Sequence, residues 1–280
     1  MTTAQVTPVT TSAPRSSAGF GGALRSEWTK IRSVRSTYWS LTAALIVSLG
    51  FAALSSGITA HHYHKYAGAE RARQVAADNF DAVSQSLSGM ALGQFALAVL
   101  GVLVISSEYR NRMIRTTLTA LPRRGRMLAA KFLALTGLAL VIAEIIAFAS
   151  FFIGMAFYKG VGLSVGLGDP GVLRAVVGTG FFMVLAGVLG LGLGLLIRHA
   201  AGAITATFGV LLVLPALSNA LPSPWDNRVS EVLPLSIGEQ SANTTQLDHH
   251  LAPVTGLLLM AIYGAVMLAA GYWLLRKRDA

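Results

Sequence analysis

SSEYRNRMIRTTLTALPRRGRMLAAK, residues Ser106–Lys131, carries seven basic residues and one acid between two long apolar runs. Apolar runs of that length cross a bilayer, and Lys- and Arg-rich connections stay on its cytoplasmic side. The stretch therefore reads as a cytoplasmic loop of a polytopic membrane protein. It also offers a charged surface to a soluble partner.

Composition agrees. Hydrophobic residues make up 54% of the chain, charged residues 12%, and mean hydropathy is +0.61. Soluble domains carry about a quarter charged residues. A net charge of +10 suggests nucleic acid at first sight. The cations, however, sit at the ends of apolar runs and not on one basic domain, so no nucleic-acid partner is expected. Cysteine is absent, which removes disulfides and thiolate metal sites.

Working outward, six apolar runs appear near Trp39–Ala60, Leu87–Ile105, Phe132–Phe157, Ala175–Ile197, Ala201–Leu221 and Val254–Leu275. The predicted fold class is an all-α membrane protein with six transmembrane helices, since helix satisfies every backbone group within the segment. Arg198, His199 and Ala200 alone separate the fourth and fifth runs, which predicts a tight hairpin. With both termini placed inside, sixteen Lys and Arg residues fall inside and six outside. That bias predicts an N-in/C-in orientation. Trp28, Trp39, Trp225 and Trp273 all fall at run ends, the depth that indole rings favour.

Residues 1–20 are rich in Thr, Ser and Pro, lack the apolar core of a secretory signal, and are expected to form a disordered cytoplasmic tail. Residues 21–38, GGALRSEWTKIRSVRSTY, space Leu24, Trp28 and Ile31 along one helical face, with cations around it. They predict an amphipathic interfacial helix lying on membrane lipids, with Glu27, Trp28, Lys30 and Ile31 as its characteristic residues. A six-helix transmembrane domain is expected to follow over 39–275, and 276–280 to form a second cytoplasmic tail.

SEWTKIRSVRSTYW, before the first span, resembles the start of bacterial type-2 ABC transporter permeases, actinobacterial ones especially. The central loop resembles that family more strongly, with Glu108 and Tyr109 ending the second span. Ile114–Leu118, Pro122, Arg124 and Lys131 follow in order. LGLLIRHAAGAITATFGVLLVLP (Leu193–Pro215) and the proline-bearing segment LPSPWDNRVSEVLPLSIG are similar too. Arg112 and Met113 depart from the small residues expected there.

The resemblance implies a membrane subunit of an ATP-binding cassette transporter in the bacterial cell membrane, most simply an exporter. In that family the loop between spans two and three docks into an ABC ATPase subunit. The implied coupling residues are Glu108, Tyr109, Arg112, Ile114, Arg115, Thr117, Leu118, Pro122 and Arg124. A short helix over Asn111–Leu118 would set Ile114, Thr117 and Leu118 into a groove and Arg110, Arg112 and Arg115 against an acidic rim. Pro122 ends that element, since proline removes a helical hydrogen bond. The chain has no Gly-Lys dipeptide, hence no phosphate-cradling loop, so ATP and Mg are expected on the partner ATPase and no enzyme activity here. Six spans are half of what a family transporter contains. The resemblance therefore implies a second permease protomer, as homodimer or heterodimer, with spans two and five lining the path. A membrane scaffold or regulator of similar fold is the alternative.

Four further signals stand in the sequence. Ala186, Gly190 and Gly194 share one face of the fourth run and favour close helix packing. Glu144 is the one acid inside a run. It reads equally as a group in the translocation path or as a neutral carboxyl fixing helix register, with Gln94 a candidate neighbour. Gly162–Gly166 matches Gly-x-Ser-x-Gly, which defines a serine hydrolase only on a strand-turn-helix elbow. His61, His62, His64, His249 and His250 fall on the outer side, where solvated loop histidines are commoner than metal ligands and no metal is expected. The long outer stretch Pro222–Pro253 is expected to hold short capping helices, with 238–246 its looser part.

Overall fold

The computed structural model describes residues 20–33, 35–110, 124–248 and 250–278, and the described residues are almost entirely helical, with no strand among them. In chain order the helices are α1 (Phe20–Ser33), α2 (Arg35–His64), α3 (Gly68–Ala77), α4 (Ala82–Ser86) and α5 (Met90–Arg110). α6 (Arg124–Lys159), α7 (Val172–Ile197), α8 (Ala200–Phe208) and α9 (Leu214–Ser218) follow. α10 (Trp225–Glu231), α11 (Pro234–Ala242) and α12 (Pro253–Arg278) complete the set. Six stretches are long and apolar enough to cross a membrane: Tyr38–His64, Ala82–Ser106, Leu128–Lys159, Val172–Ile197, Ala200–Ser218 and Pro253–Leu274.

These spans are not equivalent. In the richest window of α7, 78% of residues are buried, against 22% for α2, the α8–α9 span and α12. α7 is thus the central post, packed by α5, α6, α8 and α12. Lipid tails are as apolar as leucine, so helices associate through close fit and not through exclusion of water. Glycine supplies that fit on two sides of α7. Toward α5, a methyl on Gly190 would overlap the Ala98 carbonyl oxygen, and one on Gly101 would overlap that of Gly187. Toward α12, a methyl on Gly192 would come 2.6 Å from Met267 Cβ, and one on Gly271 would come 2.7 Å from Leu195 Cδ2. Each backbone sits where a side chain would otherwise stand.

The α7–α8 hairpin turns in two residues. Arg198 takes the left-handed conformation at φ 62°, and its N–H donates to Gly194 O at 3.0 Å. His199 then caps α8 by accepting from Gly202 N at 3.3 Å. Farther along this span, Gly209–Val213 form one π turn before Pro215. Proline has no N–H for the helical ladder, and a wide turn absorbs the gap.

At the end of the bundle distant from α1, three connections form a cap. Asp81 caps α4 through Val83 N and Ser84 N, and its other oxygen accepts from Thr244 N and Oγ1 at 2.8 and 2.6 Å. Arg174 donates to the carbonyls of Asn243 and Thr244, and Arg71 to that of Val161. Of residues 238–246, expected to be the looser part, 238–243 are packed, whereas 244–246 are irregular with Thr245 and Gln246 exposed. Gly238, Gln240, Ser241, Ala242 and Asn243 are buried, and the Gln240 amide bonds Thr245 O and Leu247 N. Their polar side chains satisfy nearby backbone instead of water.

Candidate coupling site

At the opposite end, α1 lies against the start of α6. Among its described side chains Ala23 and Glu27 are buried, four residues apart and so stacked on one side of the helix. Trp28 is exposed and Leu24 half-buried, on the adjoining face. The helix stops at Ser33, and the membrane helix already begins at Arg35, four residues before the apolar run visible in the sequence.

Glu27 is the centre of this contact. Its Oε2 accepts from Lys131 Nζ at 2.7 Å and its Oε1 from Lys30 Nζ at 2.6 Å. Glu27 and Lys131 are only 5% and 2% exposed, so water screens neither. Burial pushes the Glu27 carboxyl up, but Lys131, and after it Lys30, more than offsets this and holds it below the ordinary glutamate value. Lys30, expected to face lipid headgroups, donates to Glu27 while its side chain stays 33% exposed, and Arg25, Ser26, Thr29 and Arg32 are exposed beside it.

Lys131 lies seven residues into α6, about 10 Å along a helix rising 1.5 Å per residue. The sequence marks its position but not its partner. The signal available was chemical: a lysine entering an apolar run and a lone acid among cations both need an opposite charge. Which charge meets which is tertiary information.

The other predicted coupling residues divide by position. Glu108 and Tyr109 lie in the last turn of α5, and Arg124 opens α6. Arg112, Ile114, Arg115, Thr117, Leu118 and Pro122 fall within 111–123, outside the described residues, as does the helix expected over Asn111–Leu118. Ile31 lies in the last turns of α1.

The remaining candidates sit in the spans. Gln94 is buried; its Nε2 donates to Ala91 O at 3.4 Å and its Oε1 has no partner among the described residues. Both Glu144 oxygens are enclosed without a hydrogen bond to any described residue, so no bond joins the two residues. The Glu144 carboxyl fills the notch left by Gly180 on α7, where a methyl would overlap it. Ala186 is fully buried, and Gly190 and Gly194 meet α5, a Gly194 methyl lying 2.6 Å from Ile105 Cγ2. Gly162–Gly166 is irregular loop with Ser164 exposed, and no strand leads into it. Among the described residues no three His, Asp or Glu gather as metal ligands. His250 instead stands 3.6 Å from Glu239, and His62 packs its ring edge on Tyr63 and Tyr66.

The model of one family, ABC-2 family transporter protein, matches residues 23–214. The chain belongs to this family. A comparison with curated proteins gave no match. The matched segment begins in α1 and ends in the fifth span, so it takes in the Glu27–Lys131 contact, the basic 106–131 stretch and the central α7 post. This is a multi-pass permease subunit of an ABC transporter.

Proposed function

We propose that this permease is the export path of a transporter whose energy comes from a separate ABC ATPase subunit, acting through residues 106–131. The observation that carries the reading is a juxtaposition within the family segment. The basic loop opens directly into α6, and two turns later α6 is clasped to α1 by a buried ion pair.

In this reading both termini and the 106–131 loop face the cytoplasm of a bacterial cell. Sixteen inner against six outer cations support that orientation. ATP and Mg bind the partner. Closure of two ATPase subunits moves the loops, and each loop moves the base of α6. A second permease protomer completes the path, each protomer contacting one ATPase. Helices are stiff over this length, so displacement at the base of α6 reaches the interior where Glu144 rests on Gly180. The permease itself makes and breaks no covalent bond.

The test is co-purification from membranes. The wild-type permease is expected to bring down an ATP-hydrolysing subunit, and scrambling Ile114–Leu118 to abolish that capture while leaving the permease monodisperse. Capture that persists after scrambling refutes the assignment of the loop.

A further inference from the structure

α1 is joined covalently to α2 through a single residue, Val34, yet its buried face lies on α6. It therefore bridges the first and third spans at the level where α6 leaves the 106–131 loop. One carboxylate joins the two helices among the described residues. Glu27 accepts from Lys131 across 104 residues of chain and from Lys30 within α1.

An apolar contact would hold α1 in place as well or better, because burying a charge pair rarely adds net stability. What a buried pair adds is geometric demand. Sliding or parting the two helices breaks a 2.7 Å charge-assisted contact between groups that water does not reach, so either motion is costly. The contact tolerates few arrangements.

We propose that Glu27 and Lys131 form an ionic latch that makes α1 and the base of α6 one mechanical body. Glu27 and Lys131 are then positioning residues for coupling: force entering through the loop reaches α1, and through it α2, as well as α6. This rests on the reading of 106–131 as the coupling loop, but the latch itself is defined by the permease alone.

The test uses the natural absence of cysteine. Trp28→Cys and Leu133→Cys place spin labels on exposed positions of α1 and α6, at 43% and 47% exposure. In the full-length permease in nanodiscs, the unaltered latch is expected to give one narrow distance distribution. Glu27→Gln/Lys131→Met, which removes both charges of the latch together and leaves only the part-exposed Lys30, is expected to broaden it. In the complex with the co-purified ATPase, the same pair of changes is expected to lower the permease-dependent stimulation of hydrolysis by about fivefold or more. In a separate background, Glu27→Cys/Lys131→Cys is expected to show the same loss, and a short bis-methanethiosulfonate bridge between the two thiols to restore it. Restoration distinguishes a mechanical link from a mere folding contribution.

A neutral pair that keeps both the narrow distribution and full stimulation overturns the proposal, as does a bridge that restores nothing. If no ATPase accompanies even the wild-type permease, the coupling reading fails. The spin-label distances in the permease alone then still decide whether the latch holds the two helices.

Discussion

Replacing Gly190 by alanine probes the crossing on which the bundle depends. The new methyl would overlap the Ala98 carbonyl oxygen, an atom of α5 backbone that no rotamer change can move. To reach ordinary contact, α5 and α7 must part by about 1 Å, and a gap of that size forfeits a quarter to a half of each dispersion contact along the crossing. Overpacking of this kind costs about 1–3 kcal/mol, and backbone obstruction places Gly190→Ala at the upper end. Alanine returns about 1 kcal/mol through helix propensity. The expected net loss is about 2 kcal/mol, a fall of roughly 4–8 °C in Tm. Gly137→Ala is the control, since Gly137 has nothing within 4 Å, and it is expected to gain about 0.5–1 kcal/mol. Gly101→Ala obstructs the same crossing from the other side, against Gly187 O. Once the helices have separated, the second methyl meets less resistance, so the double variant is expected to lose less than the two singles together. Thermal unfolding of the four proteins in one detergent reads this cycle. Equal Tm for Gly190→Ala and Gly137→Ala, or strict additivity with Gly101→Ala, would refute the packing argument.

Three further outcomes are expected. Glu27→Gln removes the carboxylate that accepts from both Lys131 and Lys30 and is expected to destabilise the protein near neutral pH, by about 1–3 kcal/mol. Because the Glu27 value lies below the ordinary one of about 4.3, its stabilisation is complete above that pH and lost as pH falls through the folded value. The difference between wild type and variant is therefore expected to shrink as pH falls below the ordinary glutamate value, and a difference that stays constant or grows on acidification contradicts the pairing. Asp81→Ala removes a helix cap together with the tie to Thr244, an expected loss of about 2–3 kcal/mol in the cap, read as faster hydrogen exchange over 243–248. Glu144→Leu replaces an unpartnered carboxyl in a span by an apolar side chain and is expected to raise stability by about 1–3 kcal/mol; a fall in Tm would mean that the carboxyl is satisfied in the assembled transporter.

Much of the fold was legible in the sequence, because a span must be apolar throughout and hydropathy reports that directly. The six runs and the Arg198–Ala200 hairpin were visible for this reason. Which span is central was less legible. α7 differs from the others in its glycines, and the Ala186, Gly190, Gly194 face marks one neighbour, α5. The second glycine side, Gly192 against Met267, depends on where α12 returns, and no local spacing contains that. Composition misled at 238–243 only. Ser and Asn there read as loose, yet the side chains of Gln240 and Asn243 bond backbone in a packed cap, while 244–246 are irregular as expected. For the candidate coupling site, the basic stretch announced itself through charge. The tertiary face of α1 did not: Glu27 stood out within an amphipathic helix, but its partner Lys131 lies 104 residues away.

The most direct measurement places a photo-reactive amino acid at Ile114 in the intact membrane and asks what it captures. The expected result is an adduct of permease and a second subunit, the latter labelled by azido-ATP in the presence of Mg. An adduct lacking any nucleotide-binding chain, together with labelling of position 114 by an impermeant reagent applied outside intact cells, would contradict the account.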